Sequence, residues 1–146
     1  IKEFADGIGS NRPILVFEPD SLTHATELGT DEQNDRLTLM KDGLQLLTDN
    51  CDALVYIDIG HSNWLSSEEA SKLINKVTND KVRGFAVNVS NYRATQESMN
   101  WALQLCEHRP NDKIPGESDG KANKGPRAGR FWGEMAEQLV SNNGHN

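Results

Sequence analysis

The chain reads as an α/β protein built on a parallel sheet, and three observations lead there. Ile14 to Phe17, Leu54 to Ile57 and Gly84 to Val87 are short apolar runs of strand length. The segments between them place apolar residues at helical spacing, and strands alternating with helices imply βαβ units. Each run also stops abruptly at polar residues: Glu18-Pro19-Asp20, then Asp58-Ile59-Gly60-His61, then Asn88-Val89-Ser90-Asn91. In parallel α/β proteins the carboxyl ends of the strands carry catalytic and ligand-binding side chains. A shared polar mouth is the economical explanation of three such endings.

In chain order, Ile1, Phe4, Ala5 and Ile8 form one stripe, the end of an amphipathic helix whose start is expected to lie outside this chain; Gly9 and Asn11 close it. The run Ile14–Phe17 has the pattern of a strand covered on both faces, and Pro19, lacking an N–H, ends it. Thr30-Asp31-Glu32-Gln33 supplies an N-cap with an acidic first turn, and Leu37, Met40, Leu44 and Leu47 carry that helix to about Asn50. After the second strand, Ser66-Ser67-Glu68-Glu69 is a capping pattern ahead of Ala70, Leu73, Ile74 and Val77. Thr95 to Cys106 forms a third helix with Met99, Ala102, Leu103 and Cys106 on one face. His108 to Gly129 is poor in apolar residues and reads as loop. Pro126 to Asn143 ends the chain with an amphipathic helix bearing Phe131, Met135, Leu139 and Val140.

Composition narrows the function. The 146 residues fit one domain. A net charge of −7 disfavours nucleic acid, whose phosphates need clustered Lys and Arg, and favours neutral or cationic substrates. No apolar run approaches the roughly 18 residues of a membrane helix. An opening of Ile1-Lys2-Glu3-Phe4, without Met or signal peptide, reads as a mature product or a piece of something longer. Cys51 and Cys106 permit a disulfide without implying one. His24, His61, His108 and His145 lack paired spacing, so no metal and no cofactor is expected. No glycine-rich phosphate loop follows the first strand.

Four blocks resemble family 6 of the glycoside hydrolases, the cellulases that include endoglucanases and cellobiohydrolases. They are Glu18-Pro19-Asp20-Ser21-Leu22, Tyr56 to Leu65, Arg83 to Tyr92, and Lys113 to Gly120; Pro126 to Trp132 is similar to the start of the family's last helix. All five stand in the family's order. The resemblance implies a partial, distorted β/α barrel, a single incomplete catalytic domain over 1–146, and inverting hydrolysis of β-1,4-glucans such as cellulose or cello-oligosaccharides. On this resemblance Asp20 is the general acid that protonates the leaving oxygen, Asp119 is the candidate base, and Asp58 supports the acid and the sugar. Inversion requires two carboxyls held roughly 6.5–9.5 Å apart, with room for a water. Trp64 matches an aromatic platform, suited to the apolar face of a pyranose. His61, Asn91, Lys113 and Glu117 match residues that hydrogen-bond glucose hydroxyls, whereas Asn88 and Tyr92 read as structural. The resemblance also implies secretion.

The chain departs from the pattern in two places. The family has an earlier strand whose loop carries a further aspartate, and a long stretch before the lysine of the fourth block containing an arginine that pairs with the base. Here only six residues separate Cys106 from Lys113. Two readings follow: an inverting cellulase in shortened form, or a non-catalytic carbohydrate-binding remnant. Oligomeric state and endo versus exo action are left open.

Overall fold

A computed structural model describes residues 1–90 and 92–108. Strands β1 (Ile14–Phe17), β2 (Leu54–Asp58) and β3 (Gly84–Ala86) form one parallel sheet in that order. Ile14 lies opposite Leu54, Phe17 opposite Ile57, and Ile57 opposite Phe85. The helices are α1 (Lys2–Ile8), α2 (Ser21–His24), α3 (Thr30–Asn50), α4 (Ser67–Val77) and α5 (Thr95–Glu107), with a 3-10 turn at Ala25–Glu27. The three expected strands are therefore adjacent and parallel. β2 runs one residue longer than expected, and β3 stops one residue sooner because Asn88 leaves the extended region.

The two-residue period of a strand sorts the sheet into two faces. Leu15, Phe17, Val55, Ile57 and Phe85 share one, and together with Leu44, Leu47, Ile74, Val77 and Leu105 they form the core. Each fully buried side chain of this kind contributes about 1.5–3 kcal/mol. Parallel strands joined by right-handed crossovers send their helices to one side, and α1, α3, α4 and α5 stand in a row, each against the next.

The other face corrects the expectation that β1 is covered on both sides. Ile14 is 69% exposed and Val16 39% exposed, and Leu54 and Tyr56 beside them are half-buried. Among the described residues no second layer lies over β1 there. Thr30 is likewise not a cap: it is the first residue of α3, and Gly29 stands at the cap position without a side-chain bond. The capping pattern of α4 is borne out, since Ser66 Oγ accepts from Glu69 N at 3.2 Å and Glu69 Oε2 accepts from Ser66 N at 3.1 Å. On α5 the buried stripe is Ser98, Trp101, Ala102 and Leu105, with Met99 beside it, and Leu103 is 40% exposed instead of inward. The rotation seats the Trp101 indole in the core, where its N–H donates to the Leu65 carbonyl at 3.0 Å. Cys51 and Cys106 are half-buried and form no disulfide with each other. No helix among the described residues is long and apolar enough to cross a membrane.

Candidate functional site at the strand ends

All three strands leave the sheet through a residue of positive φ. Glu18 (φ 50°) and Asp20 (φ 65°) follow β1, Gly60 (φ 75°) follows β2, and Asn88 (φ 64°) follows β3. The left-handed region costs a residue with a Cβ about 1–2 kcal/mol, and such strain gathers where surrounding structure holds a functional side chain in place. The restraint here is Asp58. Its Oδ2 accepts the backbone N–H of Asp20 at 2.7 Å and that of Gly60 at 3.2 Å, tying the ends of β1 and β2 together. The Gly60 carbonyl accepts from Asn88 N at 2.8 Å, which joins the end of β3.

Asp58 is fully buried, and burial pushes its carboxyl above the usual range; the two backbone N–H bonds pull the other way. Its second oxygen, Oδ1, is buried and has no hydrogen-bond partner among the described residues. Asp20 is half-buried, and both of its carboxyl oxygens lie 2.6 Å from Ser90 Oγ. Its carbonyl accepts from Thr23 Oγ1 at 2.8 Å and from His24 N at 3.0 Å. Ser90 sits in a loop that Asn88 staples: Asn88 Oδ1 accepts from Arg93 N at 2.7 Å and Nδ2 donates to Arg93 O at 3.2 Å. Asn88 thus has the structural role expected of it.

The loop after β2 carries Trp64, which is half-buried and donates its indole N–H to Glu27 Oε1 at 3.3 Å. The His24 ring meets the indole edge-on, with centroids 4.7 Å apart, and the His61 ring lies at 5.5 Å, tilted by 39°. Glu27 also bonds His24 Nδ1 at 3.0 Å, and these two bonds hold its carboxyl below the usual range, the His24 bond more than the Trp64 bond. Glu97, in the first turn of α5, accepts from the Ser62 hydroxyl and from Arg93 Nε at 3.3 Å. The Asn63 amide fits between them, nitrogen toward Glu97 at 3.2 Å and oxygen toward Arg93 Nη2 at 2.7 Å. The Ser62 hydroxyl and then Arg93 hold Glu97 below the usual carboxylate range. The loop carrying Trp64 is thereby fixed to α5.

The structure brings together Asp20, Asp58, His61 and Trp64, four of the residues expected from sequence. Asn91, Lys113, Glu117 and Asp119 lie outside the described residues. Ser90, Glu97 and Glu27 were not expected, because each bonds a partner that only the fold brings near; Thr23, which bonds the Asp20 carbonyl three positions back, was not expected either.

The sequence pattern of glycosyl hydrolases family 6 matches residues 1–108. The chain belongs to this family. Endoglucanase A of Cellulomonas fimi is 32% identical over 182 aligned positions, covering 94% of this chain and 40% of that protein. Endoglucanase 1 of Streptomyces sp. (strain KSM-9) is 30% identical over 142 positions, covering 96% of this chain and 39% of that protein. Both matches reach past residue 108. The first alignment is longer than the chain itself and so opens gaps in it. The endoglucanase Cel6 from Mycobacterium tuberculosis, solved with methyl-cellobiosyl-4-deoxy-4-thio-β-D-cellobioside, superposes with a TM-score of 0.69 at 34% identity over 74% of this chain and 37% of that one. A family 6 enzyme of Orpinomyces sp. Y102 shares the fold, with a TM-score of 0.64 at 19% identity over 75% of this chain and 37% of that one. The chain spans about two fifths of the length of the curated relatives it matches. Its parallel sheet and helices are thus part of the family 6 distorted α/β barrel.

Proposed function

We propose that this chain is all or part of an inverting β-1,4-glucan hydrolase of the endoglucanase or cellobiohydrolase kind, with Asp20 as general acid. The observation that carries the reading is the mounting of Asp20. Its backbone is held in a left-handed turn by a buried carboxylate from the next strand, and its carboxyl is bonded from the loop after the third. Asp20 delivers a proton to the leaving glycosidic oxygen, and Asp119 activates the water that attacks from the opposite face. Asp58 fixes the Asp20 turn by its two N–H bonds. Trp64 supplies the platform on which a glucose ring rests. His61, Asn91, Lys113 and Glu117 bond its hydroxyls, each of which would cost about 1–3 kcal/mol if buried unpaired. The substrate is cellulose or a cello-oligosaccharide, and because such a polymer is met outside the cell the protein acts as a secreted enzyme without a cofactor.

The test is the leaving group. Asp20→Asn lowers cleavage of cellulose by on the order of 100-fold or more, since an amide has no proton to give. It spares aryl glycosides, whose leaving groups need little protonation. Asp119→Asn slows both, because water needs activation in either case. An Asp20→Asn variant as active on cellulose as the parent refutes the reading. The ring contact between Trp64 and His61, which involves no proton transfer, also fits a second reading, a sugar-binding remnant. That reading holds if cellohexaose binds with no turnover.

A further inference from the structure

The hydroxyl that bonds the Asp20 carboxyl from the loop after β3 belongs to Ser90, to which the reading above gives no role of its own. Ser90 reaches Asp20 from 70 positions away and places its hydroxyl oxygen 2.6 Å from both carboxyl oxygens. A hydroxyl has one proton and a rotor that turns to suit its partner, so this symmetric contact restrains the carboxyl about both of its side-chain torsions. The loop presenting it is pinned at Asn88 and at Arg93. Asn88 closes it with two bonds to the Arg93 backbone, its own N–H is tied to Gly60, and Arg93 is tied to Glu97 on α5. The bond between Ser90 and Asp20 also links the ends of β1 and β3, which share no ladder with each other.

We propose that Ser90 is a positioning residue for Asp20, a hydroxyl held on the Asn88-stapled loop that keeps the acid in one orientation at the strand ends. The proposal rests on the reading of Asp20 as the acid. Proton transfer needs donor and leaving oxygen within hydrogen-bond reach. A carboxyl free to rotate spends only part of its time there, and the loss falls on the step that uses the proton.

The test uses the full chain as Ser90→Ala, Ser90→Cys and Ser90→Thr, beside Asp20→Asn, each checked for the parent's circular dichroism. The Hα–Hβ couplings of Asp20, measured by NMR, report a single rotamer in the parent and in Ser90→Thr, and averaged rotamers in Ser90→Ala. Ser90→Cys keeps the volume but offers a weak donor; it averages as well, and it decides the matter if Ser90→Ala does not fold. In turnover, Ser90→Ala lowers kcat on cellohexaose on the order of tenfold with KM unchanged, leaves dinitrophenyl cellobioside within about twofold, and Ser90→Thr restores the rate. Unchanged couplings, or equal losses on both substrates, overturn the proposal. A chain that turns over neither substrate is judged on the couplings alone. Full cellohexaose activity in Asp20→Asn fails the acid assignment itself. An inactive Asp20→Asn beside a fully active Ser90→Ala fails the role of Ser90 alone.

Discussion

Gly60→Ala tests how closely the fold and the site are joined. Gly60 has φ +75°, and a Cβ built there lies 2.9 Å from Thr23 Cγ2 and 3.1 Å from Trp64 Cε3. The left-handed backbone costs alanine about 1–2 kcal/mol, and forcing a methyl between two packed side chains costs about 1–3 kcal/mol more. A loss of about 2–5 kcal/mol is therefore expected, a large share of the 5–15 kcal/mol stability of an ordinary domain. With a urea slope of about 2 kcal/mol per molar, the midpoint falls by about 1–2.5 M. The displacement also travels. Thr23 bonds the Asp20 carbonyl at 2.8 Å, and Trp64 is the platform proposed for a glucose ring, so on that proposal the same variant binds cellohexaose more weakly. Gly7→Ala is the control, because nothing lies within 4 Å of a Cβ there. It sits in α1, where alanine is favoured over glycine by about 1 kcal/mol. A Gly60→Ala midpoint within error of the parent refutes the reasoning.

Asp58 gives a pH signature. Its carboxyl is raised from 3.8 by burial, so the folded chain binds that proton more tightly than the unfolded one. The group then favours the fold at low pH, and its contribution is lost as pH rises from 3.8 through the raised value. Asp58→Asn keeps an acceptor for Asp20 N and Gly60 N but lacks this titration. Its urea midpoint relative to the parent's therefore climbs across that window and then levels, and parallel midpoint profiles contradict the assignment. Asp58→Ala removes the acceptor and costs about 1–3 kcal/mol for each N–H left unpaired, so it is less stable than Asp58→Asn at every pH. Trp64→Ala weakens cellohexaose binding by about tenfold in calorimetry, the equivalent of about 1.4 kcal/mol of lost stacking; unchanged affinity removes its platform role.

Much of the scaffold was legible in the sequence because it follows from local pattern. Four consecutive apolar residues ending at a carboxylate marked β1, and Leu37, Met40, Leu44 and Leu47 marked the buried face of α3. The Ser66 and Glu69 pair announced its own capping box. What escaped notice depends on tertiary contact. Four apolar residues in β1 look the same whether one face or both are covered, so the exposure of Ile14 and Val16 was invisible. The stripe on α5 was misjudged because Trp101 turns inward to bond Leu65, a residue far back in the chain. Nothing in Glu18-Pro19-Asp20 announces two left-handed residues, since the bond that stabilises the turn comes from Asp58. Of the site, Asp20, Asp58, His61 and Trp64 could be named because they stand at strand ends within blocks that resemble a family. Ser90 and Glu97 could not, because their partners are 70 and 35 positions away.

The most direct measurement of the central claim is the anomeric form of the first sugar released from cellohexaose, followed by proton NMR before mutarotation mixes the two forms. An acid at Asp20 working with a base across a water gap inverts the reacting carbon, so the α-anomer signal rises first. A β-anomer rising first contradicts the account.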